Sequence, residues 1–210
     1  MWRFQKEMGE VRRLLQRTYS TICIDPPWPE SGGGKSKRGA DRHYPLLPVK
    51  KIPLVIQASG VFNPAPDAHL YLWVTNTHLM DGGWVMEQLG FRYITCVTWV
   101  KMGKKTGLGQ YFRQKTEQLL FGVRGDGYAV RTDDRYVIGL IEAGRRGHSV
   151  KPQRAYDLIE RRSKGCYLEM FARQQRPGWD VWGHEVQDAA ETRTHDVGQD
   201  PVGPHKSETA

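Results

Sequence analysis

The chain has 210 residues, 39% of them hydrophobic and 26% charged, and a formal net charge of +8. That is enough for one globular domain with a sizeable core, while no apolar run approaches the ~20 residues that cross a bilayer and the N-terminus lacks a signal-peptide layout; the expectation is a soluble, cytoplasmic protein with no membrane partner. Three cysteines (Cys23, Cys96, Cys166) and seven histidines show neither zinc nor redox spacing, so no metal is expected.

In residues 1–17, Phe4, Met8, Val11 and Leu15 recur at helical spacing, which predicts an amphipathic helix packed on the domain. Residues 21–24 are β-branched or apolar and predict a buried strand. The strand runs into Asp25-Pro26-Pro27-Trp28. Two successive prolines donate no backbone hydrogen bond and hold φ nearly fixed, so they end the strand and stiffen the turn. A carboxylate and an indole thus stand at the C-terminal edge of a strand, where open α/β sheets bind ligands. Residues 29–44 hold glycines and charges without periodicity, as a loop does. Gly32-Gly33-Gly34-Lys35-Ser36 invites a phosphate-loop reading, but that motif needs a glycine where Pro29 stands and a helix where Gly39 interrupts. A basic lid whose Lys35, Lys37 and Arg38 touch nucleic-acid phosphates fits better.

Residues 46–61 predict a helix-containing connector, and residues 70–74 a second buried strand. A short helix over 78–89 closes at Gly90. Residues 93–100 predict a third strand, feeding a loop with Lys101, Lys104 and Lys105 as a second basic patch. A fourth strand covers 118–123, with a turn at Arg124-Gly125-Asp126-Gly127. Residues 150–163 predict a helix with Pro152 in its first turn, and 167–172 the next strand. Strand and helix alternate, so the fold class is α/β, with a mostly parallel sheet and helices on both faces. From residue 187 the apolar pattern stops, giving a domain over 1–187 and a disordered tail over 188–210.

The Asp-Pro-Pro-Trp turn suits one chemistry well. A flat base lies on Trp28 while its exocyclic amine donates to the Asp25 carboxylate and the Pro26 carbonyl. An aryl amine is a poor nucleophile because its lone pair is delocalised. Two placed acceptors favour a pyramidal nitrogen, which is transition-state stabilisation without a strong base. The plainer alternative is a rigid turn with an aromatic packed over it.

The turn and the segments YSTICIDPPW, LYLWVTN, TWVK, KTEQLLFGVRG, HSVKPQRAYDLIERRS and YLEMFARQQRPGWDVWGHEV, in that order, resemble the adenine-N6 methyltransferase family. That family includes the catalytic subunit of the messenger-RNA adenine methyltransferase and smaller bacterial and phage enzymes. The resemblance runs from residue 19 to 186 and implies a Rossmann-like domain whose catalytic half precedes its cofactor half. It implies S-adenosylmethionine as cofactor, with Phe171 and Arg173 lining the pocket and Lys151 pairing with the cofactor carboxylate. His184 and Glu185 fall on an element that contacts ribose and adenine, although His184 replaces the usual asparagine. Arg176 aligns loosely with a further ribose contact. Tyr44 resembles an aromatic near the target base, and Glu117 matches an acidic position read here as bonding neighbouring loops. Asp25 and Pro26 would orient the amine, Pro27 fix the turn and Trp28 stack on the base.

The implied partner is nucleic acid. DNA is favoured over RNA because the chain is compact and carries no RNA-targeting appendage. Monomer and homodimer both stay open. The alternatives are adenine methylation of RNA, cytosine-N4 or protein glutamine methylation, a catalytically silent nucleic-acid-binding subunit, and, least fitting, a P-loop ATPase.

Overall fold

The computed structural model describes residues 13–29, 46–104, 106, 111–144 and 150–183. Seven strands form one sheet: β1 (Tyr19–Ile24), β2 (Pro64–Val74), β3 (Arg92–Met102), β4 (Thr116–Arg124), β5 (Leu140–Gly144), β6 (Tyr167–Met170) and β7 (Trp179–Trp182). Between them lie α1 (Ile52–Ala58), α2 (Leu79–Gln88), the short α3 (Gly127–Val130) and α4 (Gln153–Arg162). The strand order is β5-β3-β4-β2-β1-β6-β7. β1 is parallel to β2 and β6, β6 to β7, and β3 to β5. β4 alone in this sheet runs against its neighbours, antiparallel to both β2 and β3. The sheet is therefore mostly parallel, as expected. β3 pairs directly with β4 in antiparallel register, and the described residues of 103–115 hold no helix, so the two strands form a hairpin-like pair rather than a crossover.

Period-2 alternation sorts the strand residues onto two faces. Ile22, Ile24, Leu70, Leu72, Val74 and Leu120 pack with Ile52 and Ile56 of α1 and Val85 and Met86 of α2. Cys23, Tyr71, Trp73, Val97, Trp99 and Leu119 pack with Ala155, Tyr156, Leu158 and Ile159 of α4. The sheet is thus covered on both sides, as parallel sheets require. Gly82 lets α2 sit close: a Cβ there would meet Val74 Cγ1 at 2.6 Å and Leu120 Cδ1 at 2.7 Å. Glycine within a helix costs about 1 kcal/mol relative to alanine, and this contact is its reason. Gly90 ends the helix at φ +79°, as the sequence predicts.

Two strands were not expected. β5 and β7 each carry a carboxylate, Glu142 and Asp180. Asp180 is buried and neutralised from the other end of the chain. Arg13 Nη2 lies 2.6 Å from Asp180 Oδ1, Arg17 Nη1 2.9 Å from Oδ2, and the Tyr19 hydroxyl donates to Oδ2 at 3.0 Å. Residues 13–16 are helical and Leu14 is buried. The rest of the anticipated N-terminal helix and the 188–210 tail lie outside the described residues. α4 begins at Gln153, with Pro152 at its N-cap in extended conformation, one step earlier than the first-turn position anticipated. No helix among the described residues is long and apolar enough to cross a membrane.

Candidate active site

The parallel strands all end at one edge of the sheet, and β4, being reversed, begins there. That brings Asp25, Glu117, Phe171 and Gly183 to the same side, together with Lys151 just ahead of α4.

The turn after β1 is held by its backbone. Asp25 N–H donates to the Met170 carbonyl at 3.3 Å, which ties β1 to the end of β6. Trp28 N–H donates to the Pro26 carbonyl at 2.8 Å, and Leu47 N–H to the Pro27 carbonyl at 2.9 Å. The prolines contribute only acceptors, and every acceptor named here is used by the chain itself.

Trp28 is buried, which departs from an open stacking platform. Its Nε1–H donates to the Trp73 carbonyl at 2.7 Å. His78 stacks on it, with ring centroids 5.2 Å apart and planes 15° from parallel. One indole face is therefore already covered, and the ring braces the turn. His78 is itself buried and stands 2.7 Å from both Asp81 Oδ2 and the Pro29 carbonyl. Nothing in the sequence marked His78 as part of this site; it follows the end of β2 by only four residues, which is the one hint available.

A chain of four alternating charges lies beside the turn. Lys151 Nζ is 3.0 Å from Asp25 Oδ1 and is also bonded to Glu117 Oε1. Glu117 Oε2 is 2.7 Å from Lys101 Nζ. Both ammonium groups rest on aromatic faces, Lys151 5.0 Å from the Trp73 ring centroid and Lys101 4.9 Å from that of Trp99. The side chains of Lys151, Glu117 and Asp25 are 8%, 9% and 19% exposed. Burial pushes the Asp25 carboxyl above its ordinary value, against the pull of Lys151 and, more weakly, Arg173. Burial also opposes ionisation of Glu117, but Lys151 and Lys101 bring its carboxyl below the ordinary value. For Lys151 burial opposes the charge, and the two carboxylates more than reverse this, raising the ammonium above its usual range.

Two expected roles change in this geometry. Lys101 sits within β3 with its ammonium on Glu117, because the strand runs on to Met102; it is not an open loop lysine. Lys151 precedes its helix, as expected, yet its ammonium bonds Asp25 and Glu117. Glu117 does bond neighbouring elements, as its sequence reading held.

At the end of β6, Phe171 takes φ 60°, a left-handed conformation that a bulky side chain adopts only under local constraint. Its ring meets Trp182 edge-on at 5.4 Å. Ala172 N–H donates to the Trp182 carbonyl at 3.0 Å. Gly183 follows so closely that a Cβ would lie 2.1 Å from the Ala172 oxygen. Glu169 is buried and accepts from the Tyr156 hydroxyl at 2.7 Å, and burial raises its carboxyl. The Arg176 guanidinium lies over the Tyr156 ring, 3.3 Å from its centroid, and bonds Gln153 at 2.6 Å. Arg176 Nε and Trp73 Nε1 are buried donors without a hydrogen-bond partner among the described residues. Arg176 Nε faces the Glu169 carboxylate at 3.8 Å, beyond hydrogen-bond distance, so it and the Trp73 indole N–H are the buried donors that fit a polar nucleoside ligand at this edge. Lys35, Lys37, Arg38, Tyr44, His184 and Glu185 lie outside the described residues. Among those described, no group of three or more His, Cys, Asp or Glu is placed to hold a metal ion.

Comparison with known proteins extends the sequence resemblance. The MT-A70 family model matches residues 19–185. The type II methyltransferase M.MunI from a Mycoplasma species is 29% identical over 197 residues, covering 84% of this chain and 81% of its own. The human N(6)-adenine-specific methyltransferase METTL4 is 30% identical over 81% of this chain, but the match is 38% of METTL4. The human N(6)-adenosine-methyltransferase catalytic subunit METTL3 is 28% identical over 80% of this chain and 28% of its own. The chain thus spans most of the mycoplasma protein and well under half of the two human ones.

Proposed function

The chain belongs to the MT-A70 family of adenine-N6 methyltransferases, and we propose that DNA is the nucleic acid it acts on. The observation that carries DNA is the similarity to a type II methyltransferase along most of both chains.

S-adenosylmethionine, the family's methyl donor, supplies when bound an electrophilic sulfonium methyl. Phe171, Arg173 and Gly183, with the N–H groups of Arg176 Nε and Trp73 Nε1 that have no hydrogen-bond partner among the described residues, are the described residues that would hold it. Asp25 receives the adenine amine. Its Oδ1 is engaged by Lys151 at 3.0 Å, and Oδ2 is assigned to accept an amine N–H. The Pro26 carbonyl already accepts from Trp28 N–H and has a second lone pair for the other amine hydrogen. Burial alone would drive Asp25 toward its neutral form; Lys151 keeps an ionised acceptor available where charge develops on the amine nitrogen. Pro27 stiffens the turn, and Trp28, braced by His78, forms its wall. In duplex DNA the adenine leaves the stack to reach this edge, at a cost of a few kcal/mol. Lys35, Lys37 and Arg38 are assigned to offset that cost through phosphates.

The test is methyl transfer from labelled cofactor to duplex DNA, single-stranded DNA and RNA, with nucleosides identified by mass spectrometry. N6-methyladenine in DNA, reduced at least a hundredfold or so by Asp25→Ala, is the expected result. Label in RNA alone would move the substrate and keep the mechanism. Cofactor binding with no label in any nucleic acid would point to another amine substrate. Nucleic-acid binding without cofactor binding would mark a silent subunit.

A further inference from the structure

We propose that the β3–β4 loop is a nucleic-acid contact in which Tyr111 and Phe112 stack on unpaired bases beside the site, a reading that rests on the function proposed above. The first observation is exposure. Tyr111 and Phe112 are consecutive, and 91% and 78% of their surfaces face solvent. Burying an aromatic ring of this size is worth about 1.5–3 kcal/mol, so two left open side by side call for an occupant.

The second observation is placement. Lys101 N–H donates to the Lys115 carbonyl at 2.7 Å and closes the loop at its base. Asn76, just past β2, donates to Gln114 Oε1 at 2.8 Å and to Thr116 Oγ1 at 2.9 Å. Glu117 follows directly and shares Lys151 with Asp25. The aromatic pair therefore rises from the same sheet edge as Asp25, on a base fixed by backbone and side-chain bonds.

The third observation is charge. Arg113 and Lys115 follow the pair and Lys104 precedes it in the chain, all three exposed, and residues 101–116 contain no aspartate or glutamate. A protein partner favours a patch whose centre is depleted of charge. Aromatic rings interleaved with cations instead match a strand that presents bases and phosphates in turn. Taking one adenine out of a duplex leaves an unpaired base opposite and a gap in the stack, and these are surfaces that Tyr111 and Phe112 can cover.

The test is the double variant Tyr111→Ala/Phe112→Ala in the full chain. Affinity for fluorescent duplex DNA, single-stranded DNA and RNA is titrated across salt concentrations, alongside cofactor titration, thermal unfolding and sedimentation. Stacking is worth about 1–3 kcal/mol per base, so affinity should fall about tenfold to a hundredfold. The salt slope, cofactor affinity and melting temperature should hold, and Tyr111→Phe should bind like the wild type. Unchanged affinity in a double variant of an enzyme that methylates adenine would overturn the loop assignment and leave the function standing. A shift from dimer to monomer would make the pair a contact between copies and overturn it too. A wild type that binds no nucleic acid would sink the function and the loop together.

Discussion

Lys151→Met tests the charge chain most directly. Lys151 is the single cation on Asp25 at hydrogen-bonding distance among the described residues, and it also bonds Glu117. At 3.0 Å and an effective dielectric near 20, the Asp25 attraction alone is about 5 kcal/mol before desolvation is counted. Removing one member of such a buried pair costs about 3–5 kcal/mol, because the partner is left charged and poorly solvated. In a domain of this size each kcal/mol moves the melting temperature by about 2–4 °C, so the variant should melt roughly 6–20 °C below the wild type at pH 7. The sign with pH follows from Asp25, whose folded-state carboxyl lies above its ordinary value and would rise further without Lys151. A folded state that holds a proton more tightly than the unfolded chain gains stability as pH falls through the folded value toward the ordinary one. The deficit should therefore be full at neutral pH and narrow toward pH 5. Asp25→Asn in the same background removes the stranded charge and should recover about 2 kcal/mol or more relative to additivity. Urea unfolding of wild type, both single variants and the double variant at pH 7 and 5 reads all of this. A Lys151→Met protein within about 0.5 kcal/mol of wild type at pH 7, or a deficit unchanged at pH 5, would refute the argument.

Two further outcomes follow from the turn and the end of β7. His78→Ala removes the ring stacked on Trp28 and the bond to the Pro29 carbonyl, so it should slow methyl transfer about tenfold, the equivalent of about 1.4 kcal/mol, with cofactor affinity unchanged. His78→Phe keeps a ring but neither polar bond and should fall between; initial rates equal to wild type in both variants would show that the brace is dispensable. Gly183→Ala places a Cβ 2.1 Å from the Ala172 oxygen and 2.7 Å from its nitrogen, which must break the Ala172–Trp182 bond. It should cost about 1–3 kcal/mol and weaken cofactor binding at least tenfold by calorimetry, and a normal cofactor affinity would remove Gly183 from the pocket.

The parts of this molecule that were legible in the sequence are those specified by neighbours in the chain. β1 announces itself by an apolar run, and the turn by two prolines that cannot continue it. β7 does not, because its Asp180 looks like a loop residue until Arg13, Arg17 and Tyr19 arrive from the far end of the chain to neutralise it. The cover over one face of Trp28 was illegible for the same reason. Its cover, His78, and its acceptor, the Trp73 carbonyl, come from other elements.

The direction of β4 carries the most consequence. Strand propensity says nothing about direction, and the sole local clue was a stretch between residues 103 and 115 with no helical pattern. Reversal decides which end of β4 reaches the ligand edge. Run parallel, β4 would send Val123 and Arg124 there; reversed, it delivers Thr116 and Glu117. Glu117 then meets Lys151, and Lys151 meets Asp25. A lysine that reads as solvated in isolation becomes the counter-charge of Asp25 through the orientation of a strand that contains neither residue. The same reversal plants the loop with Tyr111 and Phe112 beside the site, since a hairpin must turn at the edge where its second strand begins. If the direction of β4 sets both features, shortening the 103–115 loop to a tight turn that preserves the β3–β4 register should leave the Asp25–Lys151–Glu117 chain intact, with its dependence of stability on pH, and lower nucleic-acid affinity about tenfold to a hundredfold. Loss of both together would show that the loop, and not the strand, organises the site.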